Sequence, residues 1–242
     1  MDERVRKIID KSRSVVFFGG AGVSTESGIP DFRSESGLYN AINNYGYPPE
    51  HIISKSFFME HTDIFFDYYK KNLIYPNARP NKAHIALADL EEKGKLKGIV
   101  TQNIDGLHQM AGSRNVYELH GSVLRNYCMD CGEHYSLEYI MDVDNCDDEV
   151  PKCKICGGIV RPDVVLYEEQ LDDNVIRKAA EAIREADTLI VGGTSLVVYP
   201  AAGLINYFRG NDLILINKTQ TGYDDRATLV INDAIGSVLG NV

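Results

Sequence analysis

A buried strand running directly into a glycine turn constrains this chain more than any other feature. Val15-Val16-Phe17-Phe18 is a short unbroken apolar run, the pattern of a strand covered on both faces. It continues as Gly19-Gly20-Ala21-Gly22-Val23-Ser24-Thr25. Glycine permits a tight turn there, and the turn's backbone N–H groups can approach an anion closely. Ser24 or Thr25 is placed to cap a following helix whose positive end faces that anion. The turn starts a dinucleotide fingerprint without completing it, because the third glycine belongs at position 25 and the chain has Thr25. An ordinary strand-to-helix turn also satisfies Gly-x-Gly. Asp31-Phe32-Arg33 then follows Pro30, in a segment too polar for a core and too compact for a linker.

Strands and helices alternate around this turn. Val5, Ile8 and Ile9 mark a short amphipathic helix within residues 2–12. Ser34 to Pro49 is rich in Ser, Gly, Asn and Tyr and reads as a loop or small lid. Phe57 to Tyr69 is aromatic at helical spacing, a packed helix. Pro80 to Lys93 is another, with Ala83, Leu87 and Leu90 inward, Gly94 as its stop and His84 as a structural residue. Ile99-Val100 begins a strand ending in Thr101-Gln102-Asn103-Ile104-Asp105-Gly106, polar residues where open α/β sheets bind ligands. Asp172-Asp173 caps a helix through Ala186, and Leu189-Ile190-Val191 is a strand ending in Gly192-Gly193-Thr194-Ser195. Pro200 opens a helix closed by Gly210, and Leu213 to Ile216 is a strand ending in Asn217-Lys218. The fold class is α/β, a doubly wound parallel sheet.

Residues 123–159 differ in character. Of five cysteines, four form the pairs Cys128-x-x-Cys131 and Cys153-x-x-Cys156. Two such knuckles supply a closed tetrahedral S₄ site suited to structural zinc, with no open position for catalysis. A reactive dithiol is the competing reading. Cys146 lies outside the pairs as a spare thiol or substitute ligand. The pattern suits a reducing compartment, and the N-terminus lacks the apolar core of a signal peptide, so a cytoplasmic protein is expected. No apolar run approaches the ~20 residues that span a bilayer, so no membrane partner is expected. A net charge of -10 argues against a nucleic-acid backbone as partner and is compatible with basic, lysine-bearing substrates.

Glu118-Leu119-His120-Gly121 precedes the cysteine segment, at a junction between modules where clefts form. A neutral imidazole there can take a proton from a hydroxyl; a structural histidine at a turn accounts for the tetrapeptide equally well. His108 and His134 have less context.

Together these stretches resemble the sirtuin family of NAD-dependent protein-lysine deacylases, in its bacterial or archaeal form. The resemblance covers nearly the whole chain. It rests on Gly20 to Thr25, Gly28-Ile29-Pro30-Asp31-Phe32-Arg33, Thr101 to Asp105, His120-Gly121, the four paired cysteines and Gly193-Thr194-Ser195-Leu196. It implies a Rossmann-like domain (1–35, 80–122 and 160–242), a loop and helical insertion (36–79) and a zinc-ribbon domain (123–159), with the active site between them. It implies that Ala21, Thr25 and the helix they precede hold the NAD phosphates, that Phe32 and Arg33 cover the nicotinamide ribose, and that Gly20, Gly22 and Asp31 belong to the same cofactor site. Gln102 would bind ribose, and Asn103, Ile104 and Asp105 would line the nicotinamide pocket and order water. Thr194, Ser195 and Asn217 would bind the adenosine half, with a further contact near Ala234, and Gly193 and Lys218 would belong to the same cofactor site. His120 would be the general base, with Asn103 and Asp105 as catalytic partners. The acyl oxygen of the modified lysine would displace nicotinamide, and His120 would then help a ribose hydroxyl attack the resulting imidate. The products would be free lysine, nicotinamide and O-acyl-ADP-ribose. NAD would thus be a consumed co-substrate, zinc (Cys128, Cys131, Cys153, Cys156) a structural ion, and acyl-lysine proteins the partners.

The resemblance also places the substrate backbone as a strand between Val164, Val165 and Tyr167 on one side and Val197 and Val198 on the other. Here the chain departs from the family, which has an aromatic and then Gly-Glu. This chain has Tyr167-Glu168-Glu169. Glu168 is expected either to alter that edge or to favour basic substrate residues. Family members that favour succinyl- or malonyl-lysine carry a tyrosine and an arginine three residues apart. The stretch Phe65 to Lys71 has no arginine. Asp67 falls near the tyrosine position, with Phe65 and Phe66 as an apolar wall, so acetyl-lysine is the expected substrate. Two other functions use the same residues: a zinc-ribbon binding module on an inactive NAD-binding scaffold, and NAD-dependent ADP-ribosyl transfer to protein.

Overall fold

The computed structural model describes residues 1–31 and 35–240. Helix α1 (Glu3–Lys11) leads into strand β1 (Val15–Gly19). Helices α2 (Glu35–Tyr45), α3 (Pro49–Ile52), α4 (Lys55–Glu60) and α5 (Thr62–Asn72) follow. Then come α6 (Lys82–Glu92), β2 (Leu96–Thr101), α7 (Leu107–Met110) and β3 (Val116–Glu118). The next block is β4 (Gly121–Cys128), β5 (His134–Ser136), α8 (Leu137–Met141), β6 (Cys146–Asp147), β7 (Val150–Pro151) and β8 (Val160–Val164). The chain closes with α9 (Asp173–Glu185), β9 (Thr188–Gly192), β10 (Asp212–Ile216), β11 (Leu229–Ile231) and α10 (Ile235–Leu239).

Six strands form one parallel sheet in the order β11-β10-β9-β1-β2-β3. Along β1, Val15 and Phe17 pack into a core with Val5, Leu87 and Val238, whereas Val16 and Phe18 pack into another with Ala179 and Ile183 of α9. Helices cover both faces, which is why β1 reads as an unbroken apolar run. The chain leaves β1 toward β2 and β3, then returns to β9 on the other side of β1. Strand order therefore reverses between β1 and β9. Open α/β sheets bind ligands at such a reversal, outside the carboxyl ends of the strands. β11 has no signature in the sequence, because its three residues are too few to show a period.

β5, β4 and β8 make a separate antiparallel sheet. β8 falls within the stretch 160–242 expected of the Rossmann-like domain, and its residues Val160 to Val164 pair antiparallel with β4. The core of this small module is shared with the helical insertion: Phe57, Phe58, Phe65 and Phe66 pack in one cluster with Cys128, Ile140, Cys153 and Val160. Arg161 ties the two parts together. It is 8% exposed, its guanidinium grips Glu169 bidentately at 2.7 and 2.9 Å, and it lies over the Phe58 ring.

Local readings need correction in four places. No long helix starts at Ser24 or Thr25. Two single 3₁₀ turns, Ala21–Val23 and Thr25–Ser27, stand there, and left-handed Gly28 at φ 82° stops them. Residues 35–45 are helical rather than loop, because Leu38, Ala41, Ile42 and Tyr45 recur at helical spacing and Ala41 enters the small core. The aromatic stretch Phe57 to Tyr69 is two helices broken at His61. The turns after Pro200 are 3₁₀ rather than α.

Candidate active site

The carboxyl ends of β1, β2 and β9 meet in register, with Gly19 opposite both Thr101 and Gly192. The turns that follow are in backbone contact. A Cβ on Gly22 would lie 2.7 Å from the Cα of Gly193, and one on Gly193 would lie 2.5 Å from the Val23 nitrogen. Only glycine fits this crossing. The N–H groups of Gly20, Gly22, Val23 and Ser24 donate to the carbonyls of Gly192, Gly193, Gly20 and Ala21. The expectation that these N–H groups face an anion is corrected accordingly: they lock the floor of the crevice. Across it, Gln102 Nε2 donates to Thr194 Oγ1 at 3.0 Å.

Ser24 is the organising residue of the floor, and the sequence reading saw it only as a cap. Its hydroxyl donates to Asp105 Oδ2 at 2.6 Å and accepts from Asn103 Nδ2 at 3.0 Å. The Leu107 N–H donates to Asp105 Oδ1 at 2.9 Å. Burial pushes the Asp105 carboxyl above its ordinary range, against these two donors, which favour the carboxylate. Thr25 faces inward, its hydroxyl donating to the Gly22 carbonyl.

His120 sits between β3 and β4, half-buried. Its Nδ1 lies 2.9 Å from the Gln102 carbonyl, which only accepts, so in the neutral ring Nδ1 carries the proton and Nε2 is the basic nitrogen. Gly121 follows at φ 77°, where a Cβ would meet the Asp163 carbonyl at 2.0 Å. Glycine thus lets the chain pass under β8 and leaves the imidazole at the junction of the two modules.

A cavity of about 250 Å³ joins these groups. Ala21, Gln102, Asn103, Ile104, Asp105 and His120 line one side; Val164, Val165, Tyr167 and Val198 line the other. Gly193 and Thr194 stand at the crevice beside it. Asn217 directly follows β10 and donates through Nδ2 to the Thr219 carbonyl, Lys218 is exposed next to it, and Ala234 is the N-cap residue of α10. Ser195 and Val197 are exposed on the loop after β9, and Asp31 follows the cavity-lining Pro30. Phe32 and Arg33 lie outside the described residues.

The acyl-pocket residues differ from the sequence expectation. Phe65 and Phe66 are fully buried in the small core, and Asp67 is held by the Tyr45 hydroxyl and Lys71. Tyr69 and Asn72, also three residues apart, line the cavity instead. The Tyr69 hydroxyl is buried and has no hydrogen-bond partner among the described residues.

Comparison with known proteins decides the family. The Sir2 family model matches residues 20–200. The chain belongs to the Sir2 family. An NAD-dependent protein deacetylase of Clostridium acetobutylicum is 64% identical over 238 residues, covering 98% of this chain and 96% of the relative. One from Clostridium perfringens is 65% identical, covering 100% and 99%. A solved Sir2 with p53 peptide and NAD+ superposes at TM-score 0.87 with 38% identity, covering 98% of this chain and 95% of the other. Sir2 bound to acetylated peptide gives 0.85 at 37% identity, covering 98% and 94%.

In this Sir2 chain the four paired cysteines converge. Their sulfurs all lie within 4.8 Å of one another, with Cys128 and Cys156 at 3.4 Å and Cys131 and Cys153 at 3.6 Å. Tetrahedral zinc with Zn–S of about 2.3 Å sets sulfurs roughly 3.8 Å apart, so the set fits structural zinc. Tyr135 Oη, at 3.0 Å, and the Ile155 N–H contact the Cys153 sulfur and suit a thiolate. Cys146 stands apart, beside Lys70 Nζ.

Behind the Asp105 loop lies a buried pair, His84 and His108, with ring centroids 4.7 Å apart. His84 Nδ1 accepts from the Asn81 N–H and completes the α6 cap, while Asn81 Nδ2 donates to the Val23 carbonyl. Among the described residues His84 Nε2 and both His108 nitrogens have no hydrogen-bond partner. Burial lowers His84 to about 4, with Glu26 opposing, and lowers His108 to about 3, helped by His84. Both rings are therefore neutral in the folded protein and protonate near 6.5 once unfolded. Stability is complete above pH ~6.5 and declines as pH falls toward 4, by up to about 1.4 kcal/mol per pH unit for each histidine. Melting temperatures from pH 7 to pH 5 are expected to fall less steeply for His108→Asn than for wild type. Equal slopes would contradict this.

Proposed function

We propose that this protein is an NAD-dependent protein-lysine deacetylase that transfers the acyl group of modified lysine to ADP-ribose and releases nicotinamide. The observation that carries this reading is the convergence of His120 with the Ser24-linked Asn103 and Asp105 on one cavity, across from Val165 and Val198. NAD is the second substrate. Ala21, Gln102 and His120 would hold its reactive ribose, and Asn103, Ile104 and Asp105 its nicotinamide, all of them lining one cavity. His120 takes the proton of a ribose hydroxyl at Nε2, while the Gln102 carbonyl orients the ring and stabilises its protonated form. Asp105 and Asn103, fixed by Ser24, shape the nicotinamide pocket and order water. Gly193, Thr194, Ser195, Asn217, Lys218 and Ala234 follow the ends of β9 and β10 or open α10, which suits the adenosine half. The names of the Clostridium relatives and of the peptide-bound Sir2 structures support the reading.

Nicotinamide release by the purified protein is expected only when NAD and an acetyl-lysine peptide are both present, with the peptide losing the mass of its acetyl group. Gain of ADP-ribose on the peptide would overturn the reading. We place the protein in the cytoplasm, a location supported by five free cysteines, four of them gathered as metal ligands. No helix among the described residues is long and apolar enough to cross a membrane.

Acyl choice follows from the residues that line the cavity. Among the described residues none of these is a lysine or arginine. Lys70 is engaged by Glu149 and Lys71 by Asp67. Among the described lining residues a distal carboxylate would meet neutral groups such as Tyr69 and Asn72 and no lysine or arginine. An unpaired charge in such a site costs more than the ~1.4 kcal/mol that makes a tenfold difference. Acetyl-lysine is thus expected to exceed succinyl-lysine in kcat/KM by about tenfold or more in one peptide at saturating NAD. Equal values would sink this assignment.

A further inference from the structure

The residue that departs from the family pattern, Glu168, carries an arrangement of its own. It adopts φ 74°, a left-handed conformation that glycine takes freely and a residue with a Cβ takes at a cost. Its carboxylate does not face the cavity as a bare charge. Oε2 accepts from the Ser56 N–H at 2.9 Å and Oε1 from the Ser56 hydroxyl at 2.9 Å. Ser56 lies in the first turn of α4, directly before the buried Phe57 and Phe58. The residue before Glu168 is tied to the same place: the Tyr167 N–H donates to the Ile53 carbonyl, and the Lys55 N–H donates to the Tyr167 carbonyl. On the other side, Glu169 accepts from Arg161 and from the Leu166 N–H, and the Val165 N–H donates to the His120 carbonyl. The segment 165–169 is therefore fixed between the general base and the helical insertion.

We propose that Glu168 is a positioning residue for the acyl-lysine substrate. Its carboxylate clasps Ser56 and holds the Val165–Tyr167 edge, before substrate arrives, in the shape that pairs with the substrate backbone. The inference rests on the deacetylase reading of the cavity. It also decides between the two roles the sequence left for Glu168: the acid shapes the edge from behind and does not select basic substrate residues. A preformed edge lowers the ordering cost of strand addition, so its loss is felt in peptide binding before the chemical step. The clasp is exposed to solvent, which keeps the effect moderate.

The test is steady-state kinetics of wild type, Glu168→Ala, Glu168→Gln, Ser56→Ala and the Glu168→Ala/Ser56→Ala double variant. Two acetyl-lysine peptides are used, one with neutral flanks and one with arginine flanks. Glu168→Ala is expected to raise peptide KM about 3–10-fold for both peptides, with kcat and the KM for NAD changing less than twofold. Ser56→Ala should give a smaller shift, because its N–H remains. The double variant should be no worse than Glu168→Ala alone, since the two residues share one contact. Glu168→Gln should recover part of the loss, since an amide oxygen still accepts. Unchanged KM, additive losses, or a loss confined to the arginine-flanked peptide would overturn the clasp while leaving the deacetylase reading intact. No NAD-dependent turnover by wild type would overturn both.

Discussion

His120→Ala is expected to lower deacetylation by about 10²–10⁴-fold, the range associated with a positioned general base. The physical basis is the tautomer. The Gln102 carbonyl at 2.9 Å holds the proton on Nδ1, so Nε2 is the basic nitrogen, and in the proposed reaction the developing imidazolium would keep this hydrogen bond. The variant should fold as wild type, because the backbone bond from the Val165 N–H to the His120 carbonyl does not involve the imidazole. The loss is also expected to be unequal along the reaction. If His120 acts after nicotinamide departs, exchange of labelled nicotinamide into NAD should survive better than deacetylation. Measuring both rates on one preparation provides the check. Wild-type deacetylation by the variant would remove His120 from the mechanism.

Removal of zinc is expected to unfold the small module and abolish activity through structure. Apparent zinc binding in zinc-finger peptides is worth about 10–16 kcal/mol. That matches the whole net stability of a typical domain, about 5–15 kcal/mol. Cys128 and Cys153 are 1% and 4% exposed and belong to the same core as Phe57, Phe58, Phe65 and Tyr69. Loss of the metal therefore loosens the helical insertion and, through Tyr69, one wall of the cavity. The six-stranded sheet packs in two other clusters and should persist, so chelation or Cys153→Ser should leave a partly folded protein with two melting transitions. A metal-free protein with one unchanged transition and full activity would exclude a structural role.

Much of the architecture is legible in the sequence because it depends on local pattern. The run Val15 to Phe18 marks a strand buried on both faces, and it is the centre of the parallel sheet. The spacing of the four cysteines marks a metal site because two knuckles close a tetrahedron wherever the chain brings them together, and the four sulfurs do converge. Asp172 reads as a helix cap and accepts from the Asn174 and Val175 N–H groups. His84 reads as structural and closes the α6 cap.

Other features depend on long-range contacts that no local window contains. Ser24 looks like a cap in sequence, and its link to Asp105 exists only because β1 and β2 end side by side. Glu168 looks like a free acid beside the substrate, and only the docking of α4 supplies the Ser56 donors that engage it. Local pattern does not separate the acyl-pocket side chains from the core, because Phe57 to Tyr69 is aromatic throughout. Which rings face the core and which face the cavity is set by the break at His61 and by packing on β8, and this turns Phe65 and Phe66 inward and leaves Tyr69 with Asn72 at the cavity. The sequence by itself determined the class of sheet, the metal ligands and the residues at the strand tips, because periodicity and spacing act over a few residues. Only the tertiary structure decided which of those tips share a cavity and which charges are already paired, because strand order and module docking join residues far apart in the chain.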